Sequence, residues 1–101
     1  MAKMTTIGEP EALRRLKVLP SWELDGASIR RKFTFAGFPD ALAFVVRLGF
    51  DAEAADHHPD ILVNYKRVTL TYTTHSEGGL TEKDFAGAAQ ANALAASMGA
   101  E

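Results

Sequence analysis

Strict two-residue alternation in RVTLTYTT, residues 67–74, restricts the folds open to this chain more than any other feature. In a strand, one face of this segment is apolar and is formed by Val68, Leu70 and Tyr72. The opposite face is polar and carries Thr69, Thr71 and Thr73. Such a pair of faces is typical of an antiparallel sheet that helices cover on one side only. The preceding residues 61–64 are predicted to pair with this strand through a turn at NYKR, as a β-hairpin.

A short helix and two further strands are predicted before this hairpin. Gly8, Pro10 and the acids of GEPEALRRL predict a helix start, and Pro20 ends that helix. SWEL and IRRKFTF predict two strands that are joined by the glycine-containing turn DGAS. Arg31 interrupts the apolar face of IRRKFTF, and this interruption predicts an edge strand or a strongly twisted one.

The segment FPDALAFVVRLGFDAEAAD is the strongest helix in the sequence. Helical spacing predicts that its buried positions are Leu42, Val45, Val46, Leu48 and Gly49. Phe44 is predicted to lie at the rim of this buried face. The helix should end near Asp56 or His57, because Pro59 disfavours the helical conformation at His58.

The last helix is predicted in TEKDFAGAAQANALAASM, where Thr81 and Asp84 have the spacing of a capping box with Asp in place of Glu. The element order is therefore α-β-β-α-β-β-α. This order predicts an α+β fold, a four-stranded antiparallel sheet with three helices packed on one face. Residues 1–101 are interpreted as a single domain with its core at about residues 10–98. The uncovered sheet face and a free strand edge leave room for self-association.

Composition excludes several classes of function. The formal net charge is −2 and no basic run stands out, so we expect no direct binding to nucleic acid. The chain has no cysteine, which excludes disulfides and thiolate chemistry. It lacks a run of about 18 apolar residues that could span a membrane. Its first ten residues lack the apolar centre of a signal peptide. We expect a cytoplasmic protein.

All three histidines of the 101-residue chain are predicted to lie at one end of the hairpin. His57 and His58 enter its first strand, and His75 leaves its second strand. A helix cap explains at most one of the adjacent pair. A metal site formed by His57, His75 and a carboxylate is the alternative, but the sequence lacks the i, i+4 histidine pair of common zinc motifs. Clustered histidines favour proton transfer near neutral pH.

Three other residues have both a structural and a functional interpretation. Glu53 lies one helical turn before His57, where it could form a solvated pair, orient that histidine or hold a polar substrate group. Asp84 is first of all a helix cap. Trp22 is predicted in the core, with an indole N–H that needs a partner.

The spacing of Glu53, the HHP motif at residues 57–59, Tyr65, His75 and Asp84 resembles the signature of the pterin-4a-carbinolamine dehydratases, also called 4a-hydroxytetrahydrobiopterin dehydratases. The flanking segments LPSWEL, IRRKFTFAGFPDALAFV and THSEGGLTEKD are similar to the pattern of this family, so the resemblance covers about residues 10–98. One departure is Ser21, which stands where the family often has glycine before the tryptophan.

The resemblance implies a reaction and a setting. A 4a-hydroxytetrahydropterin loses water to give a quinonoid dihydropterin, without a metal or organic cofactor, in the recycling of tetrahydrobiopterin. Aromatic amino acid hydroxylases that use pterins supply the substrate. Members of the family assemble as homodimers or homotetramers, and the resemblance implies the α+β fold derived above. A hydroxylase or a regulatory protein is the partner that it suggests.

The resemblance also implies roles for individual residues. His57 and His75 match the acid–base positions, and His58 matches a pterin-binding position that supports the charge balance. A helix C-terminus favours imidazolium, so His57 is interpreted as the acid. The pocket would be lined by Glu53, Pro59, Thr74, Ser76 and Glu77. Asp84 would steady the loop that carries His75.

Two alternatives belong to other classes of function. Animal members of the family bind a transcription-factor dimer, so the same fold could act as a protein-interaction or dimerisation module. The other alternative is a small metal-binding protein.

Overall fold

The three helices and four strands follow the predicted order, in a computed structural model that describes residues 5–101. Residues 1–4 lie outside the described part. They belong to the predicted domain and to the first ten residues, in which no signal peptide was predicted. The helices are α1 Glu9–Leu16, α2 Phe38–Ala55 and α3 Glu82–Ser97, with a 3₁₀ turn at His75–Glu77. The strands are β1 Glu23–Asp25, β2 Ser28–Thr34, β3 Asp60–Asn64 and β4 Arg67–Tyr72. The predicted α+β fold is confirmed.

The four strands form one antiparallel sheet in the order β1-β2-β4-β3. The predicted apolar face of β4 is buried at Val68, Leu70 and Tyr72, and it contributes to a single core with residues from all three helices. A two-residue turn joins β3 to β4, and its first residue, Tyr65, has a φ of 53°. Within residues 5–101, no helix has the length and hydropathy needed to cross a membrane.

Of the two predictions drawn from Arg31, the edge strand is wrong, because β2 lies inside the sheet between β1 and β4. The strongly twisted strand stays a prediction. The guanidinium of Arg31 lies 4.2 Å from the centre of the Phe33 ring, and it donates a 2.6 Å hydrogen bond to Oδ1 of Asn92. These contacts let a cation occupy the covered face. Trp22 is buried as predicted, and its indole N–H donates to the same Asn92 oxygen at 2.7 Å.

The predicted buried face of α2 is partly wrong. The residues that α2 buries completely or nearly so are Ala41, Phe44, Leu48 and Ala52. Phe44 lies in the core rather than at the rim, because its ring packs 5.1 Å from that of Phe33 and 4.9 Å from that of Phe35. Leu42 and Val46, predicted to be buried, are 41% and 61% exposed. With Phe38 and Phe50 they form an exposed row at four-residue spacing, called here the apolar stripe.

Both helix ends near the histidines follow the predictions. Helix α2 ends at Ala55, and Asp56 takes the left-handed conformation, with φ 51° and ψ 43°. The predicted capping box of α3 is present. In it, Oγ1 of Thr81 accepts from the backbone N–H of Lys83 at 3.3 Å, and Oδ2 of Asp84 accepts from the N–H of Thr81 at 2.9 Å. Each helix therefore has a fixed end beside the same end of the β3–β4 hairpin.

Candidate active site

The three histidines line one cavity of about 370 Å³ at the end of the β3–β4 hairpin. His57 and His58 come from the segment between α2 and β3, and His75 comes from the 3₁₀ turn after β4. The remaining walls are formed by Asp56, Thr73, Thr74, Ser76 and Lys83. The antiparallel pairing of β3 with β4 brings these two segments together, as the sequence predicted.

His57 is held by a buried carboxylate and an aromatic ring. Its Nε2 lies 2.6 Å from Oδ1 of Asp84, and the side chains of these two residues are 11% and 0% exposed. The ring of Tyr72 stacks on the imidazole, with 5.9 Å between centres and 20° between planes. Because Asp84 accepts from Nε2–H, the proton that His57 could exchange with a ligand is the one on Nδ1.

Asp84 connects both sides of the cavity. In addition to His57 it binds Thr74, whose hydroxyl donates to Oδ2 at 2.8 Å, and it accepts the backbone N–H of Thr81. Thr74 directly precedes His75 and is itself bridged to Gly79 in the backbone. Asp84 therefore contacts both the residue before His75 and the ring of His57, and the sequence analysis did not predict the second contact.

The suggestion that Glu53 orients His57 is wrong. Oε1 of Glu53 lies 2.8 Å from Nε2 of His58, in a pair whose side chains are 81% and 55% exposed. The left-handed turn at Asp56 separates the two imidazoles, since His57 contacts Asp84 on the buried side and His58 stays in solvent. An exposed pair of this kind adds little to stability.

The predicted pocket residues divide into two groups. Thr74 and Ser76 are walls of the three-histidine cavity. Glu53 and Pro59 are sequence neighbours of its histidine pair but do not line it, and Glu77 lines a different cavity of about 300 Å³ with Gly78 and Gly79. Within residues 5–101, no group of three or more histidine, aspartate or glutamate side chains is arranged to hold a metal ion.

Sequence reasoning missed Lys83, Asp56, Thr73 and Tyr72. Lys83 lies in the first turn of α3, where a positive charge opposes the helix dipole. That unfavourable position was a signal that the lysine could serve the cavity that it lines. No comparable signal marks Tyr72, because its alternating position in β4 predicts a core residue.

Comparisons with known proteins point to one protein family. The sequence model of the family described as "Pterin 4 alpha carbinolamine dehydratase" matches residues 5–94. A protein of Chloroflexus aurantiacus named "Putative pterin-4-alpha-carbinolamine dehydratase" is 52% identical over 86 residues, which are 85% of this chain and 92% of the relative. A protein of the same name from Roseiflexus sp. (strain RS-1) is 49% identical over 81 residues, 80% of this chain and 87% of the relative.

Two solved structures share the fold. The crystal structure of a transcriptional coactivator/pterin dehydratase from Brucella melitensis superposes with a TM-score of 0.86 at 39% identity, over 90% of this chain and 99% of that one. A pterin dehydratase-like protein, identified as a RuBisCO assembly factor in the alpha-carboxysome, superposes with a TM-score of 0.64 at 28% identity. That alignment covers 74% of this chain and 89% of that one.

Proposed function

This chain belongs to the pterin 4 alpha carbinolamine dehydratase family, and we propose that it dehydrates a 4a-hydroxytetrahydropterin to a quinonoid dihydropterin by histidine acid–base catalysis. The observation that carries the proposal is the single cavity lined by His57, His58 and His75. Family membership supports the pterin substrate, and the paired imidazoles supply the groups that this reaction needs.

The reaction is an elimination in which one proton is delivered and one is removed. The C4a hydroxyl leaves as water once an acid has protonated its oxygen. A base takes the proton from the adjacent ring N–H, and the nitrogen electron pair forms the new double bond to C4a. Each turnover therefore moves one proton onto the substrate and one proton off it, which imidazoles near neutral pH do well.

We assign the acid to His57 and the base to His75. His57 follows the carboxyl end of α2, where the helix dipole favours a cation, and Asp84 fixes the orientation of its ring. His75 lies in an exposed turn and can return its proton to solvent. His58 is assigned to pterin binding and to the charge balance, with Glu53 as its neighbour.

The polar edges of the pterin are assigned to the surrounding segments. Thr74 and Ser76 would contact it from the cavity wall, in part through backbone groups. Pro59 and Glu77 would contact it from the margins of the cavity. We further propose that the reaction takes place in the cytoplasm without a metal or organic cofactor. A pterin-dependent aromatic amino acid hydroxylase would supply the substrate for the recycling of tetrahydrobiopterin.

A stopped-flow measurement tests this proposal. A 4a-hydroxytetrahydropterin is generated in the mixing chamber, and its decay is followed with and without the protein. We expect the protein at micromolar concentration to accelerate the decay in proportion to its concentration. Decay at the uncatalysed rate over the whole neutral pH range would overturn the proposed activity.

A second candidate function is protein interaction, and the exposed apolar stripe on α2 favours it. Two structural relatives are described as a coactivator and as an assembly factor, so this fold also serves roles beyond catalysis. We propose that the stripe joins copies of this chain into a homodimer or homotetramer. A regulatory role would be supported if a variant without both His57 and His75 still bound a hydroxylase or a regulator in a pull-down.

A further inference from the structure

Two buried hydroxyls connect the segment that carries His75 with the one that carries His57. Thr74 and Thr81 are 5% and 0% exposed, and their Oγ1 atoms lie 2.8 Å apart. The Thr74 hydroxyl also lies 2.8 Å from Oδ2 of Asp84, and Oδ1 of the same carboxylate lies 2.6 Å from Nε2 of His57. Side chains from the end of α2, the end of β4 and the start of α3 therefore form one hydrogen-bonded network.

The hydrogen-bonding capacity of these groups fixes the direction of each bond in the network. A hydroxyl has one proton to donate, and a buried donor without an acceptor is costly. Oγ1 of Thr81 accepts from the backbone N–H of Lys83 at 3.3 Å, so within residues 5–101 the acceptor left for the Thr81 proton is Oγ1 of Thr74. Thr74 then donates its own proton to Asp84. In the opposite direction the Thr81 proton would have no acceptor.

This direction determines how Asp84 can interact with His57. Oδ2 of Asp84 contacts the Thr74 hydroxyl and, at 2.9 Å, the backbone N–H of Thr81. Both partners are donors, which matches an ionised carboxylate that accepts at both of its oxygens. The proton between Asp84 and His57 then belongs to Nε2 of the imidazole. The two hydroxyls thus act on His57 through the carboxylate, without contacting a ligand.

We infer that the hydroxyls of Thr81 and Thr74 are positioning groups for proton transfer at His57. Acting in series, they hold Asp84 as an acceptor, and Asp84 holds one imidazole proton on Nε2. Nδ1 is thereby kept as the atom that exchanges a proton with the ligand. The inference rests on the proposed function, because it concerns the imidazole that is assigned as the acid. Thr81 is thus more than a helix cap, and Thr74 is more than a wall of the cavity.

The position of the imidazole proton is measured without turnover. Long-range proton–nitrogen correlation spectra distinguish the two neutral tautomers of histidine, and comparison with His57→Gln assigns the signals of His57. We expect neutral His57 in wild type to carry its proton on Nε2. A neutral His57 with its proton on Nδ1 would overturn the inference, whether or not the protein dehydrates a pterin.

Variants that remove or keep each hydroxyl test the series. Thr74→Val removes a donor to Asp84, and we expect turnover in the stopped-flow measurement to fall about 10-fold. Thr81→Val should reduce turnover by roughly 3-fold, because it weakens the same bond indirectly. Thr74→Ser and Thr81→Ser keep the hydroxyls and should stay within about 2-fold of wild type. Since Thr81 acts through Thr74, the double valine variant should be no slower than Thr74→Val alone.

Binding of a stable oxidised pterin separates positioning from ligand contact. The dissociation constant should change by less than about 2-fold in each valine variant, because neither hydroxyl reaches the ligand. The matched control is Thr71→Val, which removes the hydroxyl of a half-buried threonine of β4 that lies outside the network and the cavity. Its turnover and its pterin binding should equal those of wild type.

Thr81→Val also loses a helix cap, so all rates are measured at a temperature where thermal melts show every variant to be folded. Valine variants that melt earlier but turn over normally would show a purely structural role and overturn the inference. Rate losses that multiply in the double variant would overturn the series. The proposed activity fails separately. A wild type with the proton on Nε2 that does not accelerate dehydration keeps the proton placement and loses the reaction.

Discussion

Asp84 is the residue on which the candidate site depends most. A buried carboxylate is costly unless its oxygens are bonded, and Asp84 is fully buried with bonds to His57, Thr74 and the Thr81 N–H. One of these bonds caps a helix, one fixes the strand end before His75, and one orients an imidazole. A helix cap is thus a part of the site as well.

Substitutions of Asp84 should separate its structural role from its role in the site. Asp84→Ala removes the acceptor of His57, Thr74 and the Thr81 N–H, of which only the Thr74 hydroxyl keeps a second partner, Oγ1 of Thr81 at 2.8 Å. We expect it to lower the free energy of unfolding by about 3 kcal/mol. Asp84→Asn keeps an oxygen for the cap, so its stability loss should be nearer ~1 kcal/mol. It removes the charge beside His57, and we expect turnover to fall at least ~10-fold. Urea denaturation and stopped-flow dehydration give the two readouts, and wild-type turnover in Asp84→Asn would contradict the orienting role.

Alanine at either proposed acid–base position should reduce turnover by roughly 10²–10⁴-fold. The two variants should differ in stability. His57→Ala leaves a buried carboxylate without one of its partners, whereas His75→Ala removes an exposed side chain. Dehydration rates and thermal melts of both variants check this prediction. Near-normal dehydration by both single variants would refute the assignment of the two histidines.

At the scale of elements, local signals predicted the order of helices and strands, the α3 capping box and the end of α2 before Pro59. These features depend on neighbouring residues only. The meeting of the histidines also followed, because antiparallel pairing puts the start of β3 beside the end of β4. The partners of His57 and Glu53, which are Asp84 and His58, could not be predicted in this way. They depend on a left-handed residue at Asp56 and on how closely α3 approaches β4.

Helix α2 shows why the buried face could not be chosen from the sequence. Two apolar rows fit helical periodicity, one through Phe44 and Leu48 and the other through Leu42 and Val46. The row that packs on the sheet is the one with Phe44, because this ring contacts Phe33 in β2 and Phe35 just after it. The covered face likewise accepts Arg31 through the Phe33 ring and through Asn92, an acceptor that lies 61 residues away in the sequence.

The approach of α3 to β4 gives a prediction at this scale. Gly87→Ala places a methyl group within 3 Å of the Tyr72 ring, and such overpacking costs about 1–3 kcal/mol. Adding Tyr72→Leu removes the obstructing ring carbons, so the double variant should lose less stability than the sum of the two single variants.

Gly49→Ala is the matched control, because it is also a helical glycine but its Cβ would meet nothing within 4 Å. It should raise the free energy of unfolding by about 0.5–1 kcal/mol, as expected for Gly to Ala in a helix. All variants are compared by urea denaturation at one protein concentration. Equal effects of alanine at positions 87 and 49 would contradict the close approach.

At the scale of the whole molecule, most of the large exposed apolar side chains of residues 5–101 lie on α2 and β3. The apolar stripe places four of them in a row on α2, with Phe50 74% exposed and Val46 61% exposed. Strand β3 forms an edge of the sheet and also exposes Ile61 and Leu62, by 39% and 57%, on opposite faces of the sheet. A row of exposed apolar side chains such as the stripe marks an interaction site, and an unpaired strand edge can extend a sheet into a neighbour.

Self-association through the apolar stripe predicts that a charge at its centre separates the subunits. Val46→Glu places a carboxylate that would have to be buried between helices, and this is unfavourable without a partner cation. We expect light scattering after size-exclusion chromatography to give a dimer or tetramer for wild type and a lower mass for Val46→Glu. The variant should keep the wild-type circular dichroism spectrum, because this side chain faces solvent in the single chain.

Val18→Glu is the control for this prediction. Val18 is 84% exposed just after α1 and is not part of the stripe, so the substitution adds the same charge without placing it at the centre of the proposed interface. Its mass should equal that of wild type. The melting temperature of wild type should also rise with protein concentration, and that of Val46→Glu should not, since association stabilises the folded state by mass action. A monomeric wild type at micromolar concentration, or equal masses for wild type and Val46→Glu, would exclude the stripe as the subunit interface.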